Sequence, residues 1–248
     1  MLLSVVTPGP AETVTARGFT HHLPVYQVDR TTWRVLAGID LETPVGRYPV
    51  IIDATAGGKR IETITTIEVR DKKFPTRTLK VDEAFVNPPA AEMKRIADEA
   101  ARLSAIWSVD TPRALWDGPW VRPVADPANS AFGSRSVFNG QPRAPHGGAD
   151  FLSPAGTPVA APAGGTVVVA APLYYTGNTV VIDHGLGVYS MFAHFAAMSV
   201  REGDVVTAGQ VVGHVGATGR VTGPHLHWAV RVAGARVDPL SLLEVLKN

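Results

Sequence analysis

The sequence predicts a mainly β chain: an amino-terminal β-sandwich, one linking helix, and a carboxy-terminal unit of short, mostly antiparallel strands. Three observations predict it. Gly 24 and Pro 20 in 248 residues cut the chain into short segments, as in all-β folds. Runs rich in Val, Ile and Thr recur about every ten residues, separated by turn residues such as Gly57-Gly58 and Gly177-Asn178. One stretch alone, 90–108, carries a long helical period.

Composition limits the function classes. With 45% hydrophobic and 18% charged residues, the chain can bury a sizeable core, and its length suits about one to two domains. A net charge of +1 offers no basic field, so nucleic acid is not an expected partner. There are no cysteines, which excludes disulfides and thiolate metal sites; any metal must be held by His, Asp or Glu. No apolar run approaches the ~18–20 residues of a membrane span. Residues 1–6 are apolar but short, lack a basic flank and run into Pro8-Gly9-Pro10, unlike a signal peptide.

In chain order, strands are expected at 12–16, 23–28, 33–37, 47–54, 61–69 and 78–81, making an Ig-like sandwich over 1–86. Asn87-Pro88-Pro89 ends that block. In the helix 90–108, Met93, Ile96, Ala97, Ala100, Leu103 and Trp107 recur at three and four, one apolar stripe that must be buried, most simply by docking one domain on the other. Asp98 and Arg102 are spaced for an i,i+4 pair. A stiff connector with Pro112, Pro119, Pro123 and Pro127 completes 87–128. The third unit, 129–248, has strands expected at 157–161, 165–171, 179–183, 187–195, 205–207, 210–215 and 226–232, arranged as a barrel or sandwich, and a closing helical turn at 239–246.

The chemistry concentrates in the third unit. His225 and His227 stand at i and i+2 on a strand, so both imidazoles face one side while Leu226 faces the other. His146 and Asp150 stand four apart in a glycine-rich loop. His146, Asp150 and one histidine of the triplet would give zinc three protein ligands and an open position. Hydrolysis at such a site needs a proton acceptor as well. The glutamates after Glu99 are Glu202 and Glu244, neither beside a candidate ligand, which leaves histidine; His194, among apolar neighbours, is the candidate. His21 and His22 are adjacent and would point to opposite faces, as surface or turn residues.

Phe132-Gly133-Ser134-Arg135, His146-Gly147-Gly148-Ala149-Asp150, Gly156-Thr157-Pro158-Val159, Ile182-Asp183-His184-Gly185, Phe192-Ala193-His194-Phe195, Gly203-Asp204-Val205-Val206 and the segment 219–227 resemble, in order, the lysostaphin/LytM-type zinc metallopeptidases. Phe195 departs from the leucine usual there. The resemblance implies a domain over 129–248 of duplicated hybrid motif or swivelling β-barrel-like form. It implies one Zn²⁺ held by His146, Asp150 and His227, with His194 and His225 acting on water and oxyanion. It also implies an endopeptidase that cuts peptide cross-links of peptidoglycan in the periplasm or outside the cell, with an export signal upstream of Met1. Gly38-Ile39-Asp40 and Phe138-Asn139-Gly140-Gln141-Pro142-Arg143 are similar to exported envelope members carrying a sandwich ahead of the peptidase. His184 and His214 have no place among the family's metal residues and are expected to be structural.

The alternative is a metal-free relative that binds peptidoglycan or activates another hydrolase, against which the complete residue set argues. A lipoyl- or biotinyl-type carrier hairpin at 200–216 is excluded, because no lysine lies between Lys94 and Lys247. Nothing in the sequence indicates an oligomeric state.

Overall fold

The fold is that of a computed structural model, which describes residues 1–80, 86–130 and 132–247. The amino-terminal strands are β1 (Leu2–Val6), β2 (Thr13–Gly18), β3 (His21–Leu23), β4 (Val25–Gln27), β5 (Thr32–Leu36), β6 (Gly46–Ala56) and β7 (Lys59–Val69). They form two sheets, ordered β1-β5-β4 and β3-β2-β6-β7. Alternating side chains of the two inner faces, including Val14, Val35, Val50, Ile52 and Ile67, share one core, so these strands are a sandwich. The expected run 23–28 is two strands in two sheets. Pro24 has no N–H to give a ladder, so the chain crosses there from β3, paired with β2, to β4, paired with β5.

β8 (Thr76–Leu79) replaces the last sandwich strand expected at 78–81; Val81 lies outside the described residues. It joins neither sandwich sheet. It pairs in parallel with β10 (Arg135–Phe138), which forms a hairpin with β11 (Gln141–Pro142) just ahead of His146.

A 3₁₀ turn at Ala90–Glu92 leads into α1 (Met93–Trp107). Only the last turns of its stripe dock, and they dock on the carboxy-terminal sheet: Leu103, Ile106 and Trp107 pack against Val169, Val181 and Tyr189, whereas Met93, Ala97 and Ala100, expected to be buried, are exposed. The Trp107 and Tyr189 rings meet edge to face at 5.3 Å. The expected Asp98–Arg102 pair is not made. Lys94 takes Asp98 one turn earlier, and Arg102 reaches Glu202 in the loop ahead of β17, which fastens the helix to the sheet. The proline-rich connector lies along this same unit. Leu115 N–H donates to His184 O (2.8 Å), Trp120 N–H to Leu246 O (3.0 Å) and Val121 N–H to Pro162 O (2.8 Å), and Trp120 and Val124 enter the core.

The remaining strands are β9 (Ala128–Ser130), β12 (Gly148–Phe151), β13 (Pro158–Ala160), β14 (Gly165–Leu173), β15 (Gly177–Asp183), β16 (Val188–Met198), β17 (Val205–Val206), β18 (Val211–Val215), β19 (Leu226–Val232) and β20 (Ala235–Val237). They build one antiparallel sheet, ordered β17-β14-β15-β16-β19-β12-β9, with β18 pairing β13 and β16 and β20 pairing β19. Among the described residues the sheet does not close into the barrel considered from the sequence. Strand β16 instead bends and serves three partners, β15, β19 and β18. The chain ends in α2 (Pro239–Leu246), capped by the Asp238 carboxylate accepting from Leu240 N–H; Leu242, Leu243 and Leu246 seal the core. No helix among the described residues is long and apolar enough to cross a membrane.

Candidate metal centre

Strand β19 and the residue just ahead of it supply two of the imidazoles, and neighbouring segments supply the rest. In register, His227 stands opposite Asp150 of β12 on one side and Ala193 of β16 on the other. Leu226 between the two histidines is fully buried, as the strand period requires. His225 sits one residue ahead of the strand, where its N–H bonds to Gly216 O. His146 arrives from the loop before β12 and is pinned on its far side, its N–H donating to Ser134 O and its C=O accepting from Gly133 N–H, each 2.8 Å.

One glycine lets this assembly close. A β-carbon on Gly148 would lie 2.4 Å from Trp228 O and 2.9 Å from His227 Cε1, so β12 and β19 approach as only glycine allows. Gly147 lies beside the Arg236 side chain, whose Cδ would make an ordinary contact of 3.9 Å with a β-carbon there.

Three donor atoms meet at one point. His146 Nε2 is 3.0 Å from Asp150 Oδ1 and 3.0 Å from His227 Nδ1, and His227 Nδ1 is 2.8 Å from Asp150 Oδ1. Burial alone would raise the Asp150 carboxyl; hydrogen bonds from His146 and His227 outweigh it and hold the group well below the usual carboxylate range. Burial lowers the His227 pKa, partly offset by the bond to Asp150. Both effects favour the forms that bind metal, carboxylate and neutral imidazole. A proton placed among the three atoms serves one pair, whereas a cation serves all three. Two nitrogens and one oxygen are a zinc-type donor set, and His146, Asp150 and His227 form the group able to hold an ion among the described residues.

The other two imidazoles stand beside this triangle and do not enter it. His225 Nδ1 donates to Gly223 O (3.0 Å) and His194 Nδ1 to Thr218 O (2.9 Å). A carbonyl only accepts, so each neutral ring carries its proton on Nδ1 and keeps a lone pair on Nε2. The two ring centroids are 4.8 Å apart, and His225 Nε2 is 4.0 Å from Asp150 Oδ1. Burial, together with the neighbouring imidazoles, pushes His194 down to about 4.

His194 reaches the site through a kink that the sequence does not announce. Its φ is +67°, rare for a residue with a β-carbon. The β15–β16 register slips at this point, and the His194 N–H turns to Thr176 O. Phe192 and Phe195 both lie in the core, stacked at 6.3 Å. Positions i and i+3 of a regular strand face opposite ways; the bulge returns Phe195 inward and turns His194 towards His225 and His227. The structure therefore brings all five residues expected from the sequence, His146, Asp150, His194, His225 and His227, into one cluster.

Thr218 and Gly223, whose carbonyls orient the two outer histidines, are invisible to residue-type reasoning because a backbone oxygen does the work. The available signal was the glycine spacing around them. A β-carbon on Gly219 would lie 2.4 Å from Gly177 N, so the loops carrying Thr218 and Thr176 pack backbone to backbone. His184 is structural, as expected. Its Nδ1 bonds Gly164 O, its Nε2 bonds Ser190 Oγ, and that oxygen also accepts from Trp228 Nε1, a closed network behind β19. His214 pairs through β18 with β13 and β16, outside the cluster.

Comparison with known proteins agrees with this geometry. The model of peptidase family M23 matches residues 144–239, which hold all five clustered residues. A DD-carboxypeptidase/endopeptidase Mpg of Neisseria meningitidis is 45% identical over 97 residues, 39% of this chain and 22% of that protein. The peptidoglycan DD-endopeptidase ShyA of Vibrio cholerae is 44% identical over 97 residues, 39% of this chain and 23% of its own length. The matched segment thus spans under a quarter of these curated relatives. A crystal structure of an M23 peptidase candidate from Pseudomonas aeruginosa superposes with a TM-score of 0.76 at 31% identity, covering 98% of this chain and 92% of the other. That likeness runs through both the sandwich and the unit with the histidine cluster, and on it the chain belongs to peptidase family M23.

Proposed function

We propose that the protein is a zinc endopeptidase that hydrolyses peptide cross-links of peptidoglycan in the cell envelope, periplasmic or extracellular. The observation that carries the reading is the convergence of His146 Nε2, Asp150 Oδ1 and His227 Nδ1 within 2.8–3.0 Å of one another, with two more imidazoles presenting Nε2 beside them. The peptidoglycan names of the relatives support the substrate class.

In this reading His146, Asp150 and His227 hold the ion. When bound, zinc polarises the scissile carbonyl and lowers the pKa of water from about 15.7 to about 7. His225 Nε2 takes the proton of the attacking water, and the imidazolium so formed is stabilised by the nearby Asp150 carboxylate. The water oxygen bonds to the carbonyl carbon, the C–N bond breaks, and His225 returns the proton to the leaving amine. His194 is an acceptor while neutral. Only one proton leaves the water, so His194 donates to the developing oxyanion only while that proton is passed to it from His225, before it goes on to the amine.

The proposal includes the division into a sandwich (1–86), a helix with connector (87–128) and a peptidase unit (129–248). The second part covers the back of the third, as the packing of Leu103 and Trp107 and the burial of Trp120 and Val124 suggest. Metal analysis of the purified chain together with digestion of isolated peptidoglycan tests the function. One zinc per chain and release of un-cross-linked peptides are expected. A folded chain that binds no zinc and cuts nothing would refute it.

A further inference from the structure

The loop 38–43 that follows β5 leaves the sandwich and reaches the sheet that carries the histidines. Gly38 lies flush against β19: a β-carbon there would be 2.7 Å from Val232 O. Two residues on, the Asp40 carboxylate accepts three bonds from Arg236 of β20, from its backbone N–H (2.8 Å), its Nε (3.0 Å) and its Nη2 (2.7 Å). Nη2 also lies 3.3 Å from Glu42. The Arg236 and Asp40 side chains are only 23% and 24% exposed. A two-pronged, half-buried pair of this kind is more rigid than a surface ion pair.

The stem of Arg236 lies over Gly147. That glycine links two anchored points. On one side His146 is tied to Gly133 and Ser134; on the other, β12 begins at Gly148, opposite Ala229. Arg236 is itself paired to Arg231 of β19, the strand of His227. The guanidinium thus holds the sandwich's Asp40 while the stem of the same side chain lies beside the Gly147-Gly148 link, which has no side chain of its own to fix it.

We propose that Asp40 and Arg236 are positioning residues through which the amino-terminal sandwich sets the entry of His146 into the metal centre. The proposal rests on the function proposed above for what the centre does, but not for how it is tested. The clasp acts on the backbone that leads from His146 into β12, so its loss loosens the His146 loop.

The test uses Asp40→Asn, Arg236→Lys and, as a control, Glu42→Gln, whose carboxylate is 75% exposed, in the full chain. Outer residues that orient a metal ligand alter affinity by about 10–100-fold. Asp40→Asn is expected to weaken zinc binding by about tenfold and to lower kcat with KM within about twofold. It should also speed amide exchange at 146–149 several-fold in the metal-free protein. Arg236→Lys keeps the stem and loses the fork, and should show the same changes to a lesser degree; it decides the matter if Asp40→Asn does not fold. Glu42→Gln should behave as wild type. If both clasp variants lower Tm while zinc affinity and exchange at 146–149 stay at wild-type values, the clasp is only a staple between the two units and the proposal fails. If the wild-type chain neither binds zinc nor cuts peptide, the proposed function fails, and exchange in the metal-free chain still decides the clasp.

Discussion

Gly148→Ala tests whether the approach of β12 to β19 creates the metal centre. The new methyl would lie 2.4 Å from Trp228 O and 2.9 Å from His227 Cε1, against an ordinary carbon–oxygen contact of about 3.2 Å. Both obstructing groups are held. Trp228 is fully buried and stacked beside Phe192, its cross-strand neighbour, and the strands are locked by the Gly148–Ala229 and Asp150–His227 registers. The strands must therefore separate by several tenths of an ångström, at the overpacking cost of about 1–3 kcal/mol. The same displacement separates Asp150 from His227, now 2.8 Å apart, so zinc affinity should fall by about tenfold or more. Urea unfolding and zinc competition with a chelator read the two effects. A variant within about 0.5 kcal/mol of wild type and unchanged in zinc affinity would show that the close approach is incidental.

The two histidines of one strand face should separate by role. His227→Ala is expected to lose both metal and turnover, whereas His225→Ala keeps the metal and loses about 10²–10⁴ in rate; metal content beside cleavage rate decides between them. At His194, with φ +67°, Gly should be more stable than Ala by about 1 kcal/mol, since the left-handed conformation penalises a β-carbon; both variants should be nearly inactive. Equal melting temperatures would contradict the bulge geometry. Asp40 predicts a pH dependence. Burial raises its pKa, but the bonds from Arg236 and Glu42 N–H prevail and hold it at about 2 against an ordinary 3.8. The depressed value means its stabilisation is present above about pH 4 and is lost as pH falls through 2. Allowing for solvent screening, that is about 1 kcal/mol. The stability difference between wild type and Asp40→Asn should be flat above pH 5 and shrink towards pH 2.

Much of this was legible in the residues. The His225-Leu226-His227 alternation survives because a strand fixes side-chain faces at period two. His146 and Asp150 stood out because the chain has no cysteine to compete for a metal. The helix 90–108 declared itself by its stripe, and α1 follows it within a few residues. What stayed hidden depends on backbone detail or on partners distant in sequence. The left-handed turn at His194 has no residue-type signature, and without it the Phe192–Phe195 pair reads as facing opposite ways. Pro24 was visible, but that it divides one run between two sheets follows only from where β2 and β5 lie. β8 looked like a sandwich strand because its composition fits one; its partner β10 lies beyond the helix and connector. The Asp98–Arg102 spacing was sound locally, and it lost Arg102 to Glu202, 100 residues away.

The measurement that bears most directly on the central claim is zinc-dependent cleavage of a cross-linked peptidoglycan fragment by the full chain, with metal content determined on the same sample for wild type and for Asp150→Ala. Wild type should carry one zinc and release the two peptide arms, losing this activity to a chelator and regaining it with added zinc. Asp150→Ala should be folded, metal-poor and inactive. Cleavage that persists in Asp150→Ala, or in wild type stripped of metal, would contradict the assignment of His146, Asp150 and His227 as the metal centre.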